Sequence, residues 1–316
     1  MGDNILIVDA MNLFTRHYVA HPAMNSNGEQ VGGVVGFLYE LCRHLEEEKP
    51  SKLIVVWESG GSQKRRNILK EYKSGIKPGK LNRFYDDIPD TTMNRNFQVA
   101  TLIQTIELTN IVQLYIPDTE ADDVIAYLSK YYFRDVEQTI LSSDKDFYQL
   151  ISETTKIYSP TWKKHVGIEE VIEKFNIHPN NFALAKAIVG DKSDNIDGVK
   201  GVGFKFLAKY MTEFASDNDV YLDDVLDKCT EAINNGSKIT KYCKIISGKD
   251  IIKRNIKLIN LDIGCLTSQQ IQKTQFAFEN IENNASKIET IRKLLGSGIT
   301  NFNVDRFFFA MGCLKV

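Results

Sequence analysis

Four short, β-branched apolar runs in the first half of the chain are each followed by acidic residues. The runs cover residues 5–8, 53–57, 111–116 and 139–142, and stretches with the apolar spacing of helices separate them. Runs of this length are typical of buried strands, and their alternation with helices predicts an α/β fold with a mainly parallel central sheet flanked by helices. Because the carboxyl ends of parallel strands share one edge, the acids are expected to meet there.

These acidic residues are the first candidates for a functional site. Seven carboxylates follow the runs: Asp9, Glu58, Glu120, Asp122, Asp123, Asp144 and Asp146. The helix dipole favours acids in a first turn, and Asp118 or Thr119 can cap the helix that follows. Capping does not require three acids within residues 120–123, since two unit charges about 4 Å apart repel by roughly 4 kcal/mol at an effective dielectric near 20. The cluster predicts a hard divalent metal with oxygen ligands; the alternative is a solvated helix start with surplus acids.

A basic segment follows the second of these runs. Between residues 64 and 83 only one acid, Glu71, interrupts eight cations: Lys64, Arg65, Arg66, Lys70, Lys73, Lys77, Lys80 and Arg83. Gly75, Pro78 and Gly79 break a continuous helix there. A solvated helix face is the alternative, but a basic segment beside an acidic metal site suits a polyanion that must reach the metals.

A glycine-rich turn lies between two predicted helices, at residues 182–189 and 204–211. The turn contains Gly198, Gly201 and Gly203, whose backbone amides are open to close approach by a phosphate. The spacing is wrong for a dinucleotide-binding fingerprint, and a GxxxxGK[ST] loop is absent. The segment therefore predicts a helix-hairpin-helix element that holds a nucleic-acid backbone, although glycine-rich turns also simply join helices.

The overall composition excludes few partners. Of 316 residues, 43% are hydrophobic and 25% charged, and the formal net charge is −2, so bulk charge predicts neither nucleic-acid nor membrane binding. The five cysteines lack CxxC spacing, which argues against a zinc site and disulfides and for a reducing cytosol. No signal peptide is evident, and no apolar run is long enough to cross a bilayer. A soluble, cytoplasmic protein is expected.

The chain is expected to divide into two regions. Residues 1–180 form the predicted α/β domain, and residues 181–316 form the hairpin region followed by a lysine-rich helical part. In the latter, the three phenylalanines at 307–309 are predicted to be core. The five histidines have no metal-ligand spacing and are predicted to lie at the surface or at helix caps.

Taken together, these residues resemble the flap endonuclease and 5′–3′ exonuclease family. The likeness is greatest to stand-alone phage enzymes of the RNase H type and to the 5′-nuclease domain of bacterial DNA polymerase I. It covers about residues 4–212 through four motifs: ILIVDAMNLFTR from residue 5, TEADDVIA from residue 119, SSDKDFYQL from residue 142 and GDKSDNIDGVKGVG from residue 190. The resemblance implies a PIN-like nuclease fold with an arch at about residues 60–95 that gates a single-stranded 5′ end.

The resemblance also implies roles for individual residues. The first metal would be held by Asp9, Glu58, Glu120, Asp122 and Asp123, and the second by Asp144, Asp146, Asp191 and Asp194. Lys73 would lie over the scissile phosphate, so the catalytic set is Lys73, Asp9, Asp122 and Asp144. The implied nucleic-acid contacts are Arg16, Arg65, Arg66, Lys70, Lys73, Lys77, Gly198, Lys200, Gly201, Gly203 and Lys205.

The implied activity is that of a structure-specific 5′ nuclease. It would hydrolyse DNA at 5′ flaps, nicks or ends, and RNA primers in RNA–DNA hybrids, during replication or repair in a bacterial or phage-infected cell. Two Mg²⁺ ions, replaceable by Mn²⁺, would act at the site, with K⁺ at the hairpin. The protein would be a monomer that does not bind membranes, with a sliding clamp or a single-strand-binding protein as candidate partners.

Two departures and three alternatives qualify this interpretation. Glu58 stands where the family usually has Asp, and Ile76 stands where relatives often carry Arg. A phosphatase of the haloacid dehalogenase type would need Asp-x-Asp after the first strand, but Asp9 is followed by Ala10 and Met11. A binding protein that has lost its metals would not keep the full set of acids. A PIN-type ribonuclease would lack the hairpin.

Overall fold

A six-stranded sheet forms the centre of the computed structural model, which describes residues 3–74, 91–279 and 285–315. Its strands are β1 (Asn4–Asp9), β2 (Lys52–Trp57), β3 (Val112–Tyr115), β4 (Glu137–Leu141), β5 (Thr155–Ser159) and β6 (Lys164–Val166). The order is β3-β2-β1-β4-β5-β6; the first five strands are parallel, and β6 is antiparallel to β5. The predicted mainly parallel sheet is confirmed.

Helices cover both faces of this sheet. They are α1 (Ala10–Ala20), α2 (Gly32–Glu48), α3 (Gln63–Ile68), α4 (Thr92–Ile106), α5 (Ala121–Tyr127), α6 (Ile168–Phe175), α7 (Pro179–Val189), α8 (Phe204–Tyr210), α9 (Leu222–Asn234), α10 (Thr240–Ser247), α11 (Lys249–Ile259), α12 (Ser268–Glu279), α13 (Lys287–Gly296) and α14 (Val304–Ala310). A π-helical turn, Leu128–Tyr132, extends α5. None of the helices in the described residues is long and apolar enough to span a bilayer.

The central strands are buried on both faces, which explains their continuous apolar composition. Ile5 and Ile7 join an apolar cluster with residues of α5, α7 and α11, whereas Leu6 and Val8 join a second cluster with residues of α2 and α14. Each cluster combines residues from before and after residue 180. The division at residues 180 and 181 stays a prediction, and the C-terminal part packs against both faces of the sheet.

The order of the strands creates a crevice between β1 and β4. The chain passes from β1 outward to β2 and β3, and then returns to add β4 and β5 on the other side. The loops that leave β1 and β4 therefore run in opposite directions, and ligands of such sheets bind where the order reverses. Asp9 is the last residue of β1, and the loop that contains Asp144 follows β4.

Several local predictions are wrong for physical reasons. Glu120, and not Asp118 or Thr119, holds the N-cap position of α5, because Asp118 adopts a left-handed conformation with φ of 58°. Phe307 is buried as predicted, but Phe309 is 87% exposed because it lies on the outer side of α14. His44 is fully buried: burial lowers its pKa, but hydrogen bonds to Glu40 and Glu48 raise the pKa above its usual value.

Candidate metal and nucleic-acid site

Asp9 and Asp144 flank the crevice at the carboxyl edge of the sheet. Asp9 is buried and caps α1 by accepting a hydrogen bond from the Asn12 amide at 3.2 Å. The Ser142 hydroxyl donates to Asp9 Oδ2 at 2.9 Å and accepts from the Asp144 amide at 3.1 Å. This serine therefore ties together the loops that follow β1 and β4.

Asp122 and Glu58 complete a first group of acids around this crevice. Glu58 follows β2 and accepts from the Ala121 amide at 3.0 Å, while Asp122 stands in the first turn of α5. The pKa of Asp9 is raised to about 7, first by burial and then by the charges of Asp144 and Glu58. Burial also raises the pKa of Asp122, of Asp144 and of Glu58. Burial and the repulsion between neighbouring carboxylates therefore both disfavour the charged forms of these acids.

Arg65 lies in the interior and not at a nucleic-acid surface. It is 3% exposed, and its Nη1 and Nη2 each donate to one oxygen of Asp123 at 2.7 Å. Nη1 also donates to Glu120 at 3.2 Å, and Nε donates to the Leu258 carbonyl at 2.8 Å. This placement corrects the assignment of Arg65 as a nucleic-acid contact, because its donors are used inside the protein. It also argues against Asp123 as a metal ligand, since both of its oxygens accept from Arg65.

Lys73 links the first group of acids to the chain around Asp194. Its Nζ lies 3.0 Å from Glu120 and 3.9 Å from Asp122, and its backbone amide donates to the Asp194 carbonyl at 3.1 Å. The Tyr72 hydroxyl donates to the same Glu120 oxygen at 3.0 Å. Burial raises the pKa of Glu120, but Lys73 and Arg65 bring it below its usual value. Glu120 is thus an ionised carboxylate already paired with two cations.

A second group of acids consists of Asp146, Asp191 and Asp194. One oxygen from each lies within 4.8 Å of the other two, which is compact enough to hold a metal ion. The pKa of Asp194 is raised to about 6 by burial, with Asp191 and Asp144 adding to the effect. Lys186, from α7, contacts Asp146 and lies 2.6 Å from Asp191, and it brings the pKa of Asp191 below its usual value despite burial.

Sequence reasoning missed Lys186. This residue is buried although it is charged, and it stands between two of the acids that were assigned to the second metal. The available signal was its position as the single charged residue of the apolar stretch at 182–189. A lone cation inside an apolar helix face usually has a buried anionic partner.

The chemistry of these donors fits divalent metal ions. Both groups present carboxylate oxygens, which are the ligands that hard divalent ions prefer in proteins. Burial, and then neighbouring carboxylates, raise the pKa values of Asp9 and Asp194, and a bound cation would favour the charged form of both acids. We therefore interpret the crevice as a metal site with two groups of ligands.

The hairpin has the predicted form, but its glycines serve different purposes. A side-chain Cβ at Gly198 would lie 2.1 Å from the backbone of Val189, so this glycine is required by packing against α7. Gly201 has a φ of 85°, and a Cβ at Gly203 would meet no atom within 4 Å. Lys200, Gly201 and Lys205 are exposed, and they remain open to a ligand.

The remaining predicted contacts are spread around the crevice. Arg16 lies on α1, and its Nη1 donates to the Thr161 hydroxyl at 3.1 Å. Arg66 and Lys70 line a cavity of about 550 Å³ together with Glu58, Lys73 and Glu120. Lys77 and Ile76, with much of the predicted arch, lie outside the described residues.

Comparison with models of known protein families shows to which family the chain belongs. The model of the 5′–3′ exonuclease N-terminal, resolvase-like domain matches residues 4–176, which is more than half of the sequence. The chain belongs to the 5′–3′ exonuclease family. The matched range of this family member contains the whole first group of acids and Asp146, and it ends before Asp191, Asp194 and the hairpin.

Curated relatives of this 5′–3′ exonuclease family member include free-standing and fused proteins. The 5′–3′ exonuclease of Aquifex aeolicus is 31% identical over 214 residues, which cover 67% of this chain and 70% of the relative. The thermostable DNA polymerase I of Thermus filiformis is 32% identical over 213 residues, which cover 67% of this chain and 24% of the polymerase. The chain therefore spans about a quarter of the polymerase relative.

Solved structures with the same fold include a phage nuclease and the catalytic core of Rad2. The bacteriophage T5 flap endonuclease, in a complex with DNA and metal ions, aligns with a TM-score of 0.68 and 21% identity over 87% of this chain and 98% of that chain. The catalytic core of Rad2, in complex with a DNA substrate, aligns with a TM-score of 0.52 and 14% identity over 98% of this chain and 92% of that chain. At these identities the likeness establishes the fold of this family member.

Proposed function

We propose that this protein is a metal-dependent 5′ nuclease that hydrolyses phosphodiester bonds at the 5′ ends and 5′ flaps of DNA. The observation that carries the proposal is the convergence of two groups of acids, most of them partly buried, at one sheet edge, with Lys73 beside the first group. Membership of the 5′–3′ exonuclease family supports it. The shared fold with a T5 enzyme in a complex with DNA and metal ions is consistent with it.

We assign as metal ligands the carboxylates that do not pair with Arg65. Asp9, Asp122 and Asp144 would hold the first ion, with Glu58 close by, and the second would lie among Asp146, Asp191 and Asp194. Glu120 and Asp123 instead accept hydrogen bonds from Arg65, and these bonds hold the first turn of α5 in place. Mg²⁺ is the proposed ion, with Mn²⁺ as a substitute, because the donors are all oxygens.

The protein's own residues position and stabilise the reacting phosphate. Divalent ions held by these carboxylates would supply a water of lowered pKa and would offset negative charge at the reacting phosphate. Lys73 is held at the acids by Glu120 and exposes part of its side chain, so it can approach a phosphate that enters the crevice. Its fixed positive charge would stabilise negative charge that develops on the phosphate oxygens. The Ser142 hydroxyl keeps Asp9 and Asp144 in register with each other.

Selectivity would come from the shape of the nucleic acid and not from its sequence. Lys200, Lys205 and the exposed Gly201 would contact the duplex backbone, with K⁺ as a further ligand of the hairpin. Arg66, Lys70 and Lys77 belong to the proposed arch. RNA primers on DNA are a second proposed substrate, and a sliding clamp or a single-strand-binding protein are proposed partners of a cytoplasmic monomer.

A panel of 5′-labelled substrates tests the proposal. The panel holds a 5′ flap, a nick, a single strand and an RNA–DNA hybrid, each incubated with Mg²⁺ or with a chelator. We expect cleavage near the 5′ end of the flap and nicked substrates that stops when the metal is chelated. Cleavage that persists in chelator, or release of nucleotides from the 3′ end only, would contradict the proposal.

A further inference from the structure

An exposed tryptophan stands at the same sheet edge, on the side away from Lys73. Trp162 lies in the turn of residues 160–163, between β5 and β6, and is 37% exposed. In the sheet, β1 and β4 lie between β5 and β2, the strand that leads into the basic segment. The turn and the Lys73 segment therefore flank the acids from opposite sides.

The turn is fastened to the loop that carries Asp144. The hydroxyls of Ser143 and Thr161 lie 3.0 Å apart, and Arg16 donates to the same Thr161 hydroxyl. Ser143 directly precedes Asp144, and Thr161 directly precedes Trp162. A strand of nucleic acid that crosses the acids in the direction of β5 would meet this turn next.

Positive charge surrounds the indole. Lys174 Nζ lies 3.4 Å from the centroid of the Trp162 ring. The pKa of Lys174 is lowered, first by burial and then by the neighbouring charges of Lys145 and Lys164. Within the described residues, none of these three lysines has a carboxylate within 4.0 Å. Glu170 is a more distant anionic neighbour, since its pKa is lowered first by the Gly167 amide and then, among other causes, by the charge of Lys164.

A groove continues this surface along the protein. Its volume is about 830 Å³, and its lining includes Arg16, Lys163 and Lys164 together with Glu40 and Glu47, which both pair with Arg43. Lys163 and Lys164 are exposed. The groove offers a path for a phosphate backbone beside the exposed indole.

We propose that Trp162 and the cations around it form a subsite for an unpaired nucleic-acid strand. A base would stack on the face of the indole that Lys174 does not cover, and the phosphates would lie against Arg16, Lys163 and Lys164. Charge alone would suit any polyanion, but an exposed aromatic ring beside a groove with basic side chains is the combination that binds single strands without reading sequence. The subsite rests on the proposed function, because it receives the strand that passes the acids.

Tryptophan fluorescence in chelator tests the subsite without cleavage. The chain has two tryptophans, and Trp57 is a built-in reference because it is 4% exposed and stacked on Phe37. The probes are oligo-dT, oligo-U and an abasic strand of equal length. We expect the dT strand, the U strand or both to quench the emission and the abasic strand to quench far less. Comparison of dT with U shows whether the subsite prefers a DNA strand or an RNA strand of these pyrimidines.

Variants separate the contribution of base stacking on Trp162 from that of positive charge and of exposed aromatic side chains elsewhere. Trp162→Leu should weaken strand binding about fivefold or more, measured by anisotropy of a labelled strand, because stacking on one aromatic is worth about 1–3 kcal/mol. Trp162→Phe should retain most of the affinity. Tyr221→Leu removes another exposed aromatic side chain and should leave the affinity for the labelled strand unchanged. Lys163→Ala/Lys164→Ala should reduce the slope of log affinity against log salt by about 1.4, at roughly 0.7 per phosphate contact.

The outcomes distinguish the subsite from the proposed function. Equal quenching by abasic and dT strands, or unchanged affinity in a folded Trp162→Leu variant, would overturn the subsite. If the same preparation cuts a 5′ flap with Mg²⁺, the nuclease proposal would survive that result. Quenching that requires Trp162 in a protein without Mg²⁺-dependent cleavage would support the subsite and overturn the nuclease proposal.

Discussion

Replacement of Arg65 by glutamine tests whether this residue is an internal ion-pair partner or a nucleic-acid contact. The side chain donates to Asp123 at 2.7 Å through each of two nitrogens, to Glu120 at 3.2 Å and to the Leu258 carbonyl at 2.8 Å. Glutamine removes the charge and cannot reproduce the paired bonds to Asp123. It therefore leaves the buried Asp123 carboxylate without its cation.

The expected loss of stability follows from this burial. Removal of one partner of a buried ion pair costs about 3–5 kcal/mol, because the remaining charge stays out of water. For a chain of 316 residues, an unfolding entropy of about 2.1 cal/mol/K per residue converts this loss into a fall in Tm of roughly 5–8 °C. Arg66, the next residue, is only partly buried, so Arg66→Gln should change the free energy of unfolding by less than about 0.5 kcal/mol.

Thermal unfolding in chelator, followed by circular dichroism, measures the difference between the two variants. Arg65→Gln/Asp123→Asn should recover part of the loss, with a coupling of about 1–3 kcal/mol, because the stranded charge is gone. An Arg65→Gln variant that has the Tm of the wild-type protein but binds DNA more weakly would refute the reasoning. It would restore Arg65 as a nucleic-acid contact.

Three further predictions concern other parts of the fold. Lys186→Gln should destabilise the protein in chelator, and Mg²⁺ should raise its Tm more than it raises that of the wild-type protein, since Asp146 and Asp191 lose their cation. Gly198→Ala should cost about 1–3 kcal/mol in urea unfolding because its Cβ would overlap Val189, whereas Gly203→Ala should cost less than about 0.5 kcal/mol. Burial lowers the pKa of His17 to about 4, below its unfolded value of 6.5, so the neutral ring stabilises the fold above pH 6.5. That contribution, up to about 3 kcal/mol, should be lost as the pH falls from 6.5 to 4, and His17→Gln should flatten this part of the urea-unfolding profile.

Much of the fold could be predicted because it depends on local patterns. The apolar runs marked strands β1 to β4, and the acids behind them lie at one sheet edge because parallel strands end together. The hairpin followed from its glycines. These features depend on residues close in sequence, so periodicity and turn chemistry reveal them.

The features that could not be predicted from the sequence depend on contacts between distant segments of the chain. Arg65 bonds to the Leu258 carbonyl, and the two residues are 193 positions apart. Lys186 meets Asp146 from another helix, and the phenylalanines at 307–309 divide between core and surface according to how α14 docks. A local pattern can indicate that a charged residue such as Lys186 is buried, but it does not identify the distant segment that the residue contacts. The basic residues of the segment 64–83 could therefore not be told apart from the sequence, although Arg65 is buried and Lys70 is exposed.

The rate of 5′-flap cleavage under single-turnover conditions tests the central claim that acids of the two strand-end loops hold the metals that drive hydrolysis. We predict Mg²⁺-dependent cleavage by the wild-type protein and at least about a 100-fold lower rate for Asp122→Asn/Asp144→Asn, since even the groups behind metal ligands are worth about 10–100-fold. Asp118→Asn is the matched control, because Asp118 is exposed in the same loop and has a φ of 58° that asparagine tolerates. Its rate should equal that of the wild-type protein. A folded double variant that cuts the flap at the full rate would contradict the account.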